Sequence, residues 1–320
     1  MASLFEAKPF IVAEVGSNFL NYEDCAASIR AAKECGADAV KFQCFSYRSL
    51  YGPNAVPPSY YKNPELQVDW LPRLKNVADE NSIEFMCTAF DVDTLRQVDQ
   101  YVGVHKIASS DLAYPDLLKA VASFGKPILL STGAATRSEI SMALAYLRGC
   151  RVVLLYCVSA YPAKSVNLFV LDDLKTFNTP VGFSDHTKNI DYIPCEAVKH
   201  GAVVIEKHFT CINKDTPDRP HSLNPEEFRM MVLALRGDGK AYIGPTPEER
   251  DMLMRHKRRL IATKDIKQEE RFSYNDNFGP YRSAEPELSA LTPFAWESVD
   301  GKIATRPIKM GQAITFLDCK

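Results

Sequence analysis

Short apolar runs punctuate the first 236 residues, each followed by a polar break and then by apolar residues at helical spacing. Residues 10–15, FIVAEV, form a β-rich run that Gly16-Ser17-Asn18 interrupts. Ala26, Ile29 and Ala32 then recur at the spacing of a helix, which Asn21 can cap and Gly36 ends. A second strand is predicted over 39–42. The same alternation predicts strands over 83–87, 104–108, 127–130, 152–157, 181–183 and 202–205, and helices over 71–80, 91–100, 115–124, 138–147, 167–177 and 190–200. Eight strands alternating with helices predict an α/β fold, a (β/α)8 TIM barrel. Residues 46–68, rich in tyrosine and proline, break the rhythm and read as a long irregular loop over a site.

After Arg236 the texture changes. Gly237, Gly239, Gly244, Pro245 and Pro247 mark a break, and 248–260 reads as a charged helix or extended connector. Short β-like segments follow over 261–266, 302–306 and 313–317. The expected organisation is a barrel domain over 1–240, a linker over 241–260 and a small β-rich domain over 261–320, a unit that needs something to dock on.

With 46% of its 320 residues hydrophobic, the chain can bury a substantial core. Its net charge is -2 with no block of like charge, so no nucleic acid partner is implied. No signal-like start and no long apolar stretch is present, which predicts a cytoplasmic protein with no membrane partner. Nine cysteines are an odd number without tight metal spacing; Cys44, Cys87, Cys157 and Cys195 read as small buried hydrophobes in a reducing compartment. No GxGxxG follows the first strand and no GxxxxGK[ST] occurs, which sets dinucleotide and P-loop nucleotide chemistry aside.

Polar residues recur at the predicted strand ends: Glu14, Lys41 with Gln43, Thr88, Lys106 with Ser109 and Asp111, Ser131 with Thr132, Ser159 with Tyr161, Ser184 with His186, and Glu206 with His208. A barrel gathers those ends into one mouth. Lys41 and Lys106, backed by serine hydroxyls, suit a phosphorylated or otherwise anionic substrate, and Gly133 would let a backbone amide approach the same anion. His186 and His208 end the last two strands. A divalent metal held by only two imidazoles keeps positions open for water and substrate, as Lewis-acid activation of a carbonyl requires. Glu14 or Asp111 would balance charge or carry protons. The combination points to carbon–carbon bond formation or cleavage with a phosphorylated small molecule; phosphate-ester isomerisation fits as well.

These residues lie in an ordered run of motifs: IVAEVGSN, GADAVKFQ, HKIASSD, VASFGKPILLSTG, YCVSAYP, GFSDHT, IEKHFT, SLNP and ATKDI. The run resembles the N-acetylneuraminate (sialic acid) synthase family, with its legionaminic and pseudaminic acid synthase members, over nearly the whole chain. The resemblance implies a (β/α)8 barrel followed by a small antifreeze-like (SAF) domain, and metal-dependent condensation of phosphoenolpyruvate with an open-chain N-acetylated hexosamine. It makes His186 and His208 ligands of a divalent metal, typically Mn2+, with Co2+ or Mg2+ as alternatives. It assigns phosphoenolpyruvate to Lys41, Lys106, Ser109, Ser131, Ser159 and Ser184, and the acceptor sugar to Glu14, Gln43, Tyr161, Asp218 and Arg282.

The same resemblance gives Asp111, Glu14 and Lys106 catalytic positions, Asp111 as the group that deprotonates or positions the attacking water. Arg282 falls where an arginine reaches into the partner's barrel mouth, which implies a homodimer with exchanged SAF domains. Four departures from the family pattern stand out: Asn18-Phe19 for asparagine-histidine, Asp111 for glutamate, Thr88-Ala89-Phe90 for Thr-Pro-Phe, and Arg282-Ser283-Ala284 for Arg-Pro-Gly. Phe19, Asp111 and the Arg282 run are expected near the acceptor. A 3-deoxy-ulosonate synthase acting on a phosphorylated aldose would want a second basic cluster, and only the isolated Arg48, Lys62 and Arg219 are on offer. A non-catalytic sugar-binding barrel would keep the fold and bind no metal.

Overall fold

The computed structural model describes residues 9–52, 54–57, 64–237, 257–282 and 290–320. Eight strands alternate with helices as the periodicity predicts: β1 (Phe10–Gly16), β2 (Ala39–Cys44), β3 (Glu84–Ala89), β4 (His105–Ile107), β5 (Ile128–Ser131), β6 (Val152–Tyr156), β7 (Val181–Asp185) and β8 (Ala202–His208). They form one sheet in the order β3-β2-β1-β8-β7-β6-β5-β4, with parallel pairing throughout. Because β1 pairs with β8, the sheet curls into a nearly closed barrel whose seam lies between β3 and β4. The helices are α1 (Tyr22–Glu34), α2 (Tyr47–Tyr51), α3 (Leu71–Glu80), α4 (Val92–Asp99), α5 (Pro115–Ser123), α6 (Arg137–Tyr146), α7 (Phe169–Leu174), α8 (Tyr192–Lys199) and α9 (Pro225–Arg236). Their starts are written locally: the Asn21 side chain accepts from the Asp24 amide, and Thr136 with Glu139 and Asn224 with Glu227 form capping boxes.

Successive strand side chains face opposite ways. One set, including Phe10, Val12, Ala39, Met86, Leu129, Leu155 and Val204, fills the barrel floor. The intervening set, including Ile11, Val40, Phe85, Ile107, Leu130, Phe183 and Ile205, packs with helix residues such as Ile29, Leu74, Leu118 and Phe228. Two residues further along each strand the inward position changes chemistry. Val12 gives way to Glu14, Ala39 to Lys41, Met86 to Thr88, Leu129 to Ser131, and Val204 to Glu206 and then His208. An apolar floor therefore carries a polar mouth at the C-terminal strand ends.

Three details differ from the sequence reading. The segment 46–68 is not wholly irregular: α2 lies in it, capped by Ser46, whose hydroxyl accepts from the Ser49 amide. Residues 53 and 58–63 of that segment lie outside the described residues, as does the predicted linker 241–260 up to residue 256. In the tail, 302–306 and 313–317 are not strands; they make single bridges, Ile303 with Arg271 and Ala313 with Ile261, and Phe316–Asp318 is a 3-10 turn. The strand that pairs with β9 (Arg259–Ala262) is instead β10 (Phe278–Tyr281), whose Gly279-Pro280 disguises it as a turn.

The chain divides into two compact units, Met1–Tyr242 and Ile243–Lys320. The smaller one has its own core, in which Leu260, Ile266, Phe272, Phe278, Val299, Ile308 and Ile314 are buried. All nine cysteines are free thiols. No helix among the described residues is long and apolar enough to cross a membrane.

Candidate active site

A cavity of about 280 Å3 opens at the polar mouth. Of the residues expected there, Glu14, Lys41, Gln43, Lys106, Ser109, Ser131, Ser159, Tyr161, Ser184, His186 and His208 line it, as do Thr88, Phe90 and Glu206. The strand register explains the meeting: Glu14 of β1 sits beside Lys41 of β2 and His208 of β8, and Ser184 of β7 beside Glu206 of β8.

Two lysines and two glutamates form one buried network. Lys41 Nζ lies 2.7 Å from Glu14 Oε2 and 3.7 Å from Glu206 Oε2, and it donates to Thr88 Oγ1 at 3.1 Å. Lys106 Nζ is 3.9 Å from Glu206 Oε1 and donates to the Ile107 carbonyl at 3.2 Å. The Ser184 hydroxyl donates to Glu206 at 2.7 Å, and the Gln43 amide donates to Glu14 at 2.6 Å. Burial alone would lower Lys41, but the flanking Glu14 and Glu206 carboxylates raise it above the usual lysine range. Burial prevails at Lys106, whose partner is more distant, and lowers it. At Glu206 burial is overridden by Lys106 and Lys41, which hold the carboxyl down at about 2.

The serines are placed by a tight turn. The Gly133 amide donates to Ser109 Oγ at 3.0 Å rather than pointing freely into the cavity, and the Ser109 hydroxyl lies 3.1 Å from Cys157 Sγ. A side chain at Gly133 would stand 2.4 Å from Ser159 Oγ and 2.7 Å from Cys157 Sγ, so the turn requires glycine.

The histidine side is built differently. His186 Nδ1 lies 2.7 Å from the Val158 carbonyl, a pairing in which it donates and leaves Nε2 as an acceptor. The His186 and His208 rings are 5.7 Å apart, and the exposed Tyr161 ring lies 4.3 Å from the first and 5.9 Å from the second. Beyond His208 lie Asp218 and His221. His208 Nδ1 is 4.0 Å and His221 Nε2 3.5 Å from the two Asp218 oxygens. Burial lowers His186 and drives His208 down to about 3, so both imidazoles are neutral at pH 7.

Three expected residues are not cavity walls. Asp111 lies in the Ser109–Asp111 turn, where it accepts from the Ser110 hydroxyl at 2.9 Å, and burial raises its pKa. Asp218 sits behind His208 and accepts from the Ser17 amide at 2.6 Å. Arg282 belongs to the other unit, exposed just after β10. Phe19, expected near the acceptor, is instead 1% exposed in the outer apolar core. The preceding Asn18 side chain bonds the Phe209 carbonyl and Ser222.

Comparison with known proteins decides what such a mouth belongs to. The NeuB family model matches residues 28–243, more than half of the chain. This chain belongs to the NeuB family. The N,N'-diacetyllegionaminic acid synthase of Campylobacter jejuni is 33% identical over 96% of this chain and 99% of its own. An uncharacterized protein of Methanocaldococcus jannaschii is 39% identical over 83% of each chain. Among solved structures, the N-acetylneuraminic acid synthetase of Leptospira borgpetersenii superimposes with a TM-score of 0.67 at 31% identity, covering 77% of this chain and 90% of the other.

As a NeuB-family member the protein is an enzyme, a transferase that forms a carbon–carbon bond in a phosphoenolpyruvate-dependent condensation giving a keto-sugar acid. The NeuB barrel also holds a buried His208–Asp218–His221 cluster capable of coordinating a divalent metal. The fit is physical: among the described residues, His208 Nδ1 and His221 Nε2 are buried nitrogens without a hydrogen-bond partner. The sequence reading did not single out His221. Its only signal is the three-residue step from Asp218, in a segment that follows no apolar run.

Proposed function

We propose that this chain condenses phosphoenolpyruvate with the open-chain aldehyde of an N-acylated hexosamine, N-acetylmannosamine or a diacetamido relative, and with water. The products are a nine-carbon 2-keto sugar acid and phosphate. One observation carries this reading: two buried lysines flank a single glutamate in the same cavity as two neutral imidazoles. Fixed cations suit the phosphate and carboxylate of the donor, and neutral imidazoles suit a divalent metal.

In this reaction C3 of phosphoenolpyruvate bonds to the aldehyde carbon, and positive charge develops at C2. Water adds to C2 and loses a proton, and the tetrahedral centre expels phosphate as its C2–O bond breaks. Lys41 and Lys106 stabilise the anion throughout, with the hydroxyls of Ser109, Ser131, Ser159 and Ser184 around it. His186 and His208 would hold a divalent cation, Mn2+ by preference, which would supply Lewis acidity to the acceptor carbonyl. Glu14, tied to Gln43, faces the sugar with Tyr161 and Asp218. Asp111, with its pKa raised by burial, deprotonates or positions the water. Holding both reactants in line supplies much of the acceleration. Arg282 acts across a homodimer with exchanged SAF domains, a part of the proposal that rests on its place in the tail motif.

Phosphate release from phosphoenolpyruvate by metal-stripped protein, with and without manganese, tests the reading. The acceptor panel is N-acetylmannosamine, 2,4-diacetamido hexoses, arabinose 5-phosphate and erythrose 4-phosphate. Release that requires manganese and a non-phosphorylated N-acyl sugar is expected. Release with a phosphorylated aldose, or none from folded protein that binds manganese, overturns it.

A further inference from the structure

We infer that Cys157 is a positioning residue for the anionic substrate: its thiol donates to Ser109 Oγ and so turns the Ser109 proton toward phosphoenolpyruvate. The inference rests on the phosphoenolpyruvate reading above and goes beyond it. From the sequence Cys157 is only a small buried hydrophobe, and the anion contacts end at the lysines and serines.

The geometry starts at Gly133. The Thr132 amide and hydroxyl both donate to the Leu155 carbonyl, at 2.9 and 3.1 Å, which carries the β5–β6 pairing one residue past Ser131 and fixes the turn. Aimed by that turn, the Gly133 amide donates to Ser109 Oγ at 3.0 Å. Ser109 Oγ in turn lies 3.1 Å from the sulfur of Cys157, a residue only 5% exposed. Ser109, Cys157 and Ser159 crowd one point, since a Cβ on Gly133 would stand 2.9, 2.7 and 2.4 Å from their polar atoms. All three line the cavity that holds Lys41 and Lys106.

Counting protons separates two arrangements. A hydroxyl has one proton and two acceptor sites, and a thiol is a weak donor and a weak acceptor. The Gly133 amide fills one acceptor site of Ser109 Oγ. If Ser109 donates to the sulfur, its one proton is spent and none remains for an anion. If the thiol donates to Ser109 Oγ, both acceptor sites are filled and the Ser109 proton is left for the cavity. A phosphate or carboxylate oxygen selects the second arrangement, because a hydroxyl bonds an anion more strongly than it bonds a neutral sulfur. Without the sulfur donor, Ser109 would meet the anion with one acceptor site unfilled and its rotation less restricted.

Titration calorimetry of phosphoenolpyruvate with the full-length chain, without acceptor, measures the effect. Cys157→Ala should weaken binding about 3–10-fold, part of what one hydrogen bond to a charged group supplies, while Cys157→Ser keeps a donor and should stay within about 2-fold of wild type. Ser109→Ala should weaken binding roughly tenfold, and adding Cys157→Ala to it should cost nothing more, as for two residues that act as one. The wild-type protein gives a readout that depends on no variant's affinity, the infrared S–H stretching band that disappears in Cys157→Ser. With phosphoenolpyruvate bound, that band should lie at the lower frequency of a thiol that donates. Equal losses from Cys157→Ala with and without Ser109, or a band at the frequency of an unbonded thiol, overturn the inference and leave the phosphoenolpyruvate reading standing. Wild-type protein that binds no phosphoenolpyruvate overturns both.

Discussion

The two sides of the barrel mouth solve opposite problems. On the lysine side the charges answer one another: Lys41 faces Glu14 at 2.7 Å, and Glu206 lies within 4 Å of both lysines. On the histidine side, among the described residues, His208 Nδ1 and His221 Nε2 lack a hydrogen-bond partner, and Asp218 is only near. The first side is charge held ready for an anion; the second is a set of ligand atoms held ready for a cation. Burial acts on both: at Lys41 and Glu206 close counter-charges override it and favour the charged forms, whereas at His186 and His208 burial prevails and favours the neutral imidazoles.

Substituting the two lysines is the hardest test of that contrast. Lys106→Met removes a cation whose nearest carboxylate is 3.9 Å away, so the fold should keep most of its stability while kcat/KM for phosphoenolpyruvate falls about 10²–10³-fold. Lys41→Met strands the Glu14 carboxylate at 2.7 Å and should also destabilise the fold by about 3–5 kcal/mol. Urea unfolding beside steady-state kinetics separates the two. Equal stability losses would show that the network does not distinguish its lysines.

The histidine side is probed by pH in metal-free protein. His208 is held near 3 and His186 is lowered, so both stay neutral in the folded chain while the unfolded chain protonates them near 6.5. The unfolded state then binds more protons below 6.5, and stability is lost as pH falls through that value toward 3. His208 should cost about 1 kcal/mol between pH 6.5 and 5.5, and His186 adds a loss of the same sign. Glu206, held near 2, adds a loss of the same sign only below its ordinary value of 4.5. Urea midpoints at pH 7.5, 6.5 and 5.5 measure this; a flat profile would mean that the imidazoles are not buried as neutral groups.

The barrel was legible because nearly every strand carries apolar inward and outward positions along most of its length, β4 with His105 and Lys106 being the exception. Strand ends were read short, 181–183 for β7 and 202–205 for β8, because the strand continues into the mouth where the apolar pattern stops at Ser184 and Glu206. Those polar ends were readable as a site. Their pairing was not, since the meeting of Glu206 with Lys41 and Lys106 depends on which strands close the barrel. Phe19 shows the limit of reading by motif. The Asn18 hydrogen bonds and the burial of Phe19 in the outer core leave the aromatic ring out of the cavity lining.

The finest distinction concerns Ser131, on the lysine side of the mouth but sharing the character of the histidine side. Its hydroxyl is buried and, among the described residues, has no hydrogen-bond partner, although it lines the cavity between paired charges. A hydroxyl kept for structure would lose a bond when removed; this one has none to lose. Ser131→Ala should therefore shift unfolding by less than about 0.5 kcal/mol, or stabilise slightly. A hydroxyl kept for the anion should show itself only when the donor binds, and KM for phosphoenolpyruvate should rise roughly tenfold, the effect of one hydrogen bond to a charged group. An unchanged KM would remove Ser131 from the anion site and confine binding there to the lysines and the Ser109 turn.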